Sequence, residues 1–211
     1  NWEITDGDDW AAGPRQWVDD SGLDAWVIQR DVQDPAAYVE TWLRDAGEHQ
    51  SSGYRTLYDT WLATLERRGV LGVGFGLITL RRGEVSAPTQ RFQHAPQQWH
   101  QPVADDIQRW FAVQDALAQS PAGILLQPLQ VSPDVVVEEH RAPSQSLGSP
   151  EPVVLLRRST GMAWSGPVDA FGLDLLAGLD GVRPAGEAVI SAAAAHGVGP
   201  EEALSTSVPV L

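Results

Sequence analysis

The strongest hydrophobic pattern in the chain is helical. Tyr54, Leu57, Tyr58, Trp61, Leu62 and Leu65 recur at i, i+3, i+4, i+7, i+8 and i+11, one face of a helix that Ser51-Ser52-Gly53 precedes and Gly69 closes. Just before it, Asp34-Pro35 offers an N-cap with proline at the first helical position. Tyr38, Val39, Trp42, Leu43 and Ala46 then form an apolar stripe that Gly47 ends. Strand character flanks this helical pair. Residues 25–30 (AWVIQR) lead into it, and 71–82 (LGVGFGLITLRR) follow it with a period of two. Val73, Phe75 and Leu77 share one face; Gly72, Gly74 and Gly76 share the other, where a neighbour is expected to pack closely on the backbone. The same glycines spell a GxGxG. A nucleotide-binding turn needs a strand before that string and a helix after it. Here Leu77-Ile78-Thr79-Leu80, a β-type run, follows, so the strand reading is preferred.

Signals outside this block are shorter. Asp6-Gly7-Asp8-Asp9 before Trp10 reads as a helix start with acids at the positive end of the dipole. Pro14 is expected to interrupt that helix, Trp17 and Val18 to resume it, and Ser21-Gly22 to stop it. Residues 84–100, polar and rich in Gln and Pro, read as a linker. Pro102 begins a helix with Val103, Ile107, Trp110, Phe111 and Leu117 on one face. Residues 124–131 and 135–141 are expected to be two strands joined by Ser132-Pro133-Asp134. A loop over 142–152 then leads to a hairpin of 153–158 and 162–168 about Ser159-Thr160-Gly161. Short helices over 171–179, 184–196 and 200–207 finish the chain. The expected organisation is therefore 1–83 with a two-helix insertion at 31–70, 84–150 as linker plus helix and strand pair, and a separate tail at 151–211.

Composition narrows the function classes. The 211 residues are 43% hydrophobic and 20% charged, an ordinary globular balance. The most apolar window, 70–80, is too short to span a bilayer, so neither a membrane span nor a membrane partner is expected. With no cysteine there is no disulfide or thiolate site. The five histidines are scattered, and structural roles are expected for them rather than metal ligation. All 14 basic residues are arginine, the net charge is −14, and residues 1–50 hold 12 acids against 3 arginines. A duplex-binding surface needs clustered positive charge. The arginine doublets, Arg67-Arg68, Arg81-Arg82 and Arg157-Arg158, are few and dispersed, which argues against direct DNA binding. Of the tryptophans, Trp26, Trp42, Trp61 and Trp110 lie on apolar stripes and are expected in the core. Trp2, Trp99 and Trp164 lack such a context and are candidates for exposed contacts. The chain opens without an initiator methionine or signal peptide and stops on Val208-Pro209-Val210-Leu211. Both ends are expected to be cuts through a longer, cytoplasmic protein.

The order of these elements, with the strings NWEITDGDDW, DAWVIQRDVQDPAAYVETWLRDAG and GVGFGLITLRR, resembles a group of actinobacterial class I S-adenosylmethionine-dependent methyltransferases. These are distantly similar to release-factor glutamine N5-methyltransferases and small-ribosomal-RNA guanine methyltransferases. The resemblance is strongest over 1–83. It implies an α/β fold in which this chain supplies the last strands of a Rossmann-like, seven-stranded sheet. Asn1-Trp2 would lie just past the fifth strand, 25–30 would be the sixth, and 71–82 the antiparallel seventh. A winged-helix-like α+β region would follow. The cofactor turn and the Asn-Pro-Pro-aromatic motif of such enzymes are absent from this sequence, so no catalytic, cofactor-binding or metal residue is assigned. The chain alone is expected to be inactive.

What the resemblance implies is the C-terminal part of an enzyme that moves the methyl of S-adenosylmethionine to a nitrogen of a protein or RNA. The runner-up is a non-catalytic protein-interaction module with a tryptophan-rich surface. Under the first reading the insertion at 31–70 leaves from, and returns to, the sheet edge where ligands of open α/β sheets bind. It either helps to choose the acceptor or only covers the sheet. The candidate recognition residues are Arg30, Gln33, Tyr38 and Trp42 near its base, with Asn1 and Trp2 at the neighbouring strand end. The third tail helix opens Pro200-Glu201-Glu202 and has no arginine, so packing is its expected role.

Overall fold

Asp24 and the glycines of the 71–82 segment set the frame of the first half of the chain. In the computed structural model, which describes residues 1–83, 88–140 and 152–207, the architecture is mixed α/β and divides into two units, Asn1–Pro96 and Gln97–Leu211. Arg141, most of the loop expected over 142–152, and the closing Val208-Pro209-Val210-Leu211 lie outside the described residues, as do 84–87.

The first unit is a four-stranded sheet in the order β1 (Trp2–Ile4), β3 (Gly72–Arg81), β2 (Asp24–Gln33), β4 (Gln90–His94). β3 runs antiparallel to β1 and β2, whereas β4 is parallel to β2, so three strands share one direction. Asp24, only 2% exposed, ties the start of β2 together. Its carboxylate accepts from Arg81 Nη2 at 2.7 Å and from the Thr89 backbone N–H at 2.8 Å. Helix α1 (Ala12–Val18) covers one face of the sheet, where Val18, Ala25, Val27 and Ile4 pack with Trp2. On the other face lie α2 (Pro35–Asp45) and α3 (Tyr54–Arg67), which bury Val39, Leu43 and Leu65 against Val70 and Val73. Complete burial of side chains such as Val27, Ile28 and Val39 contributes about 1.5–3 kcal/mol each. The Asp34 cap is present: its Oδ1 accepts from the Ala37 N–H at 2.9 Å.

The glycine face has a specific occupant. A Cβ added at Gly74 would lie 2.8 Å from Trp2 Cε2 and 2.5 Å from Gln29 Oε1, and one at Gly76 would run into the Ile28 backbone carbonyl of β2 and lie 2.7 Å from Trp2 Cη2. The Trp2 indole thus lies flat over bare backbone, donates to Gln29 Oε1 at 3.1 Å and stacks on Trp10 with centroids 5.9 Å apart. Trp2 is 4% exposed, so the expectation that it is a surface contact is corrected. Trp42 and Trp61 correct the opposite expectation. Although on the apolar stripes, they are 41% and 42% exposed, because Val39, Leu43 and Leu65 make the sheet contact and leave the tryptophans outside it.

Three further expectations are corrected. Helix α1 begins at Ala12, not among the aspartates, and Pro14 falls in its first turn, where no N–H is needed. β4 lies within the stretch read as linker, held by parallel pairing from Ala25↔Gln90 to Gln29↔His94. Asn1-Trp2 does not lie beyond a strand, since Trp2 is the first residue of β1.

The second unit carries α4 (Ala104–Gln119) and an antiparallel meander of β6 (Val135–His140), β7 (Val153–Arg158) and β8 (Trp164–Pro167), which contains the expected hairpin. The pairing expected between 124–131 and 135–141 does not form. Residues 121–126 are a 3₁₀ turn, and β5 (Pro128–Gln130) pairs instead with β9 (Asp180–Pro184), a strand in a stretch read as turn and helix start. Helices α5 (Ala170–Gly178), α6 (Ala185–His196) and α7 (Pro200–Ser207) follow as expected. The Ala188, Ala192 and Ala193 face of α6 lets Leu175 and Ala203 approach closely. Among the described residues, no helix is long and apolar enough to cross a membrane.

Gly74→Val is expected to destabilise the first unit by about 1–3 kcal/mol through overpacking against Trp2, read as a lower Tm. An unchanged Tm would mean that the indole is not held on this strand.

Candidate functional site

Among the described residues β1 is bonded to a neighbour on one side only, and a cleft of about 420 Å³ runs along it. Trp2 and Glu3 of β1, with Asn1 and Thr5 on either side of the strand, form its floor. Gly13, Gln16 and Trp17 of α1 wall one flank, and Tyr38, Val73 and Arg68 the other. Trp17 is 57% exposed. The Asn1 amide donates to Tyr38 Oη at 3.3 Å, and Arg68, the C-cap of α3, pairs with Glu3 at 2.8 Å. The ion pair leaves these lining side chains with no net charge. The set can stack and hydrogen-bond, and its carboxylate is already engaged by Arg68.

Of the six sequence candidates, Asn1, Trp2 and Tyr38 meet in this cleft. Trp42 touches Tyr38 edge-on with centroids 6.2 Å apart. Arg30 and Gln33 do not line it. Arg30 sits in a β-bulge, between the pairs Gln29↔Gly76 and Asp31↔Phe75. Gln33 ends β2 opposite Val73, and its side-chain oxygen is buried with no hydrogen-bond partner among the described residues. Both lie toward the carboxyl end of β2, near the level of Ile4 at the end of β1, because Ile4 pairs with Gly72 and Gln33 with Val73. Trp17, Gln16 and Arg68 were not singled out by the sequence. Trp17 stood out only as an aromatic after a proline, and Arg68 only as half of a basic doublet.

The second unit holds a denser charge cluster. Arg158, at the end of β7, reaches Asp106 of α4 with Nη1 at 2.7 Å and Asp134 with Nε at 2.7 Å. Asp106 also accepts from the Met162 N–H at 2.7 Å beside the left-handed Gly161, and Asp134 accepts from the Ser132 and Thr160 hydroxyls. The Ser132 and Thr160 hydroxyls, then Arg158, hold the Asp134 carboxyl well below the usual carboxylate range. With donors on both carboxylates, the cluster clasps α4 to the meander and offers no free base. Among the described residues, no group of three or more His, Asp or Glu side chains is placed to hold a metal ion.

Residues 108–211 are similar to a family described as a domain of unknown function (DUF7782). No curated protein and no solved structure matches the chain.

Arg158→Met should cost up to about 3 kcal/mol, because it leaves the buried Asp106 with only the more exposed Arg109, 3.4 Å away, as counter-charge. Asp134 has a folded pKa below its unfolded value of about 3.9, so its contribution is full above that value and is lost as pH falls toward the folded one. Thermal melts between neutral pH and about pH 2 should therefore show a steeper acid loss for the wild type than for Asp134→Asn. Parallel profiles would mean that the carboxylate is not engaged.

Proposed function

We propose that this chain is the C-terminal portion of an S-adenosylmethionine-dependent methyltransferase acting on a protein or RNA nitrogen. It completes the sheet and contributes to acceptor recognition. The observation that carries the reading is the strand order. β3 lies antiparallel between two strands of common direction, which fits 25–30 and 71–82 as the sixth and seventh strands, with β1 as part of the fifth. Its α/β part would be the end of a Rossmann-like sheet, and the β7–β8 hairpin with α5, α6 and α7 would be the winged-helix-like region. In α7, Glu201 and Glu202 are exposed while Ala203 packs on the core, which favours a packing role over phosphate contact.

In such a reaction the protein chiefly positions the acceptor in line with the sulfonium and excludes water. This chain's share is the carboxyl edge of β1 and β2, where Arg30, Gln33 and Tyr38 stand and where the two insertion helices begin and end. The helices cover the sheet face through Val39, Leu43 and Leu65, while Tyr38 at their base reaches the cleft. The exposed Trp17, Trp42 and Trp61 favour a second reading, a protein-interaction module without catalysis.

Calorimetry separates the two. The complete parent protein should bind S-adenosylmethionine at micromolar concentration and the 211-residue chain should not. Saturable binding by the short chain would return the glycine string to the role of a ligand loop, and a parent that binds none would sink the enzyme reading. In the parent, Arg30→Ala with Gln33→Ala should lower acceptor turnover about tenfold or more, a loss of roughly 1.4 kcal/mol in transition-state binding. Cofactor affinity and Tm should not move. Unchanged turnover would leave the insertion as a cover for the sheet only.

A further inference from the structure

Exposed apolar side chains that gather beside unneutralised charge mark a contact surface, and the carboxyl end of β1 and β2 has both. Leu71, just before β3, is 61% exposed, and Val32, near the end of β2, is 44% exposed. Neither belongs to a loose loop. The Leu71 N–H donates to the Ile4 carbonyl at 2.8 Å, and a Cβ placed on Gly7 would lie 3.9 Å from Leu71 Cδ1. Val32 pairs with Gly74, and a Cβ placed on Gly72 would lie 3.1 Å from Val32 Cγ1. Backbone pairing thus holds the two side chains near Gly72, with Ile4 buried beside them. Carboxylates stand around them. Asp6 and Asp8 flank Gly7, Asp31 precedes Val32, and Asp34 caps α2. All four are exposed, and none has an ion-pair partner among the described residues. The basic groups at this end are Arg30, in the bulge of β2, and Arg67, since Arg68 is engaged with Glu3 and Arg15 with Asp9. The rim therefore carries an excess of negative charge.

We propose that this end of the sheet is a docking surface for a polypeptide segment that carries apolar and basic side chains together. The apolar ones would cover Leu71 and Val32, and the basic ones would reach Asp6, Asp8 and Asp31. Charge complementarity of this kind steers encounter and rejects partners of the wrong sign. RNA is such a partner, because a polyanion needs clustered positive charge and meets carboxylates here. The proposal rests on the methyltransferase reading only in naming the docked segment as part of the methyl acceptor, which it makes a protein. The surface itself is a property of this chain.

The test titrates the 211-residue chain by calorimetry with three probes. They are a short peptide of alternating leucine and arginine, the same peptide with glutamate in place of arginine, and a single-stranded RNA of similar length. Only the basic peptide should bind saturably. Leu71→Asp should weaken that binding about tenfold or more, although it adds a carboxylate that would strengthen attraction by charge alone. Asp6→Asn with Asp8→Asn should weaken it too. Glu201→Gln with Glu202→Gln, which removes as much charge from α7, should have no effect. Circular dichroism reports the fold of each variant, and the near-isosteric Val32→Thr should lower affinity even if Leu71→Asp does not fold. The proposal is overturned by no saturable peptide binding, by binding of the RNA or of the glutamate peptide instead, or by unchanged or tighter binding to the apolar-site variants. Cofactor binding by the complete parent is read separately. A parent that binds the basic peptide but no S-adenosylmethionine would end the methyltransferase reading and leave the docking surface standing. A parent that binds the cofactor while the peptide is ignored would do the reverse.

Discussion

The first unit depends on one contact, the Trp2 indole lying over the bare backbone of Gly74 and Gly76. A tryptophan on an edge strand would ordinarily project away from the sheet or leave a void beneath it. Here the missing Cβ atoms on β3 let the ring settle within van der Waals reach, and the Gln29 amide satisfies its N–H at 3.1 Å. Trp10 then stacks on its outer face, and Val18 of α1 completes the cluster. The short strand β1, with only three residues, gains from this ring the burial that its few backbone bonds do not provide. The glycine string is therefore explained by packing, and no nucleotide is needed to account for it.

The same contact bears on function because it fixes where β1 lies. Held on β3, β1 runs in the direction of β2, and their carboxyl ends come level at Ile4 and Gln33. The recognition candidates gather around this part of the sheet, and the connection through α2 and α3 leaves and re-enters it there. The second unit is organised differently, by Arg158 shared between Asp106 and Asp134 and by the alanine face of α6. These are structural devices, and apart from Asp106 they lie in the region similar to the domain of unknown function.

What the sequence showed and what it hid follow from the range of each interaction. The helical pair, the Asp34 cap, the close-packed glycine face and the 153–168 hairpin are encoded in local spacing, and they stand in the structure. Trp2 lacked a periodic neighbour, so its burial was invisible until β3, some seventy residues later, was laid beside it. β4 hid in a glutamine-rich stretch because its pairing with β2, not its own residues, makes it a strand. β5 found β9 rather than the nearby β6, a choice made by contacts fifty residues away that no local pattern records. In the cleft, Tyr38 was legible as an insertion-base residue, whereas Asn1 and Trp2, read as lying past a strand end, stand instead at the start of β1. Trp17 and Arg68 arrive there only through the packing of α1 and the end of α3.

The most direct test of this account is a double-mutant cycle between Trp2→Ala and Gly74→Val, read as unfolding free energy in urea. If the glycine exists to seat the indole, the valine should be costly beside Trp2 and clearly less so once the ring is gone and the Gln29 side chain is left free to turn away. The coupling would then be about 1 kcal/mol or more, as for residues in direct contact. Additive effects of the two changes would contradict the account, since they would show that Trp2 and Gly74 do not share the space that organises the sheet.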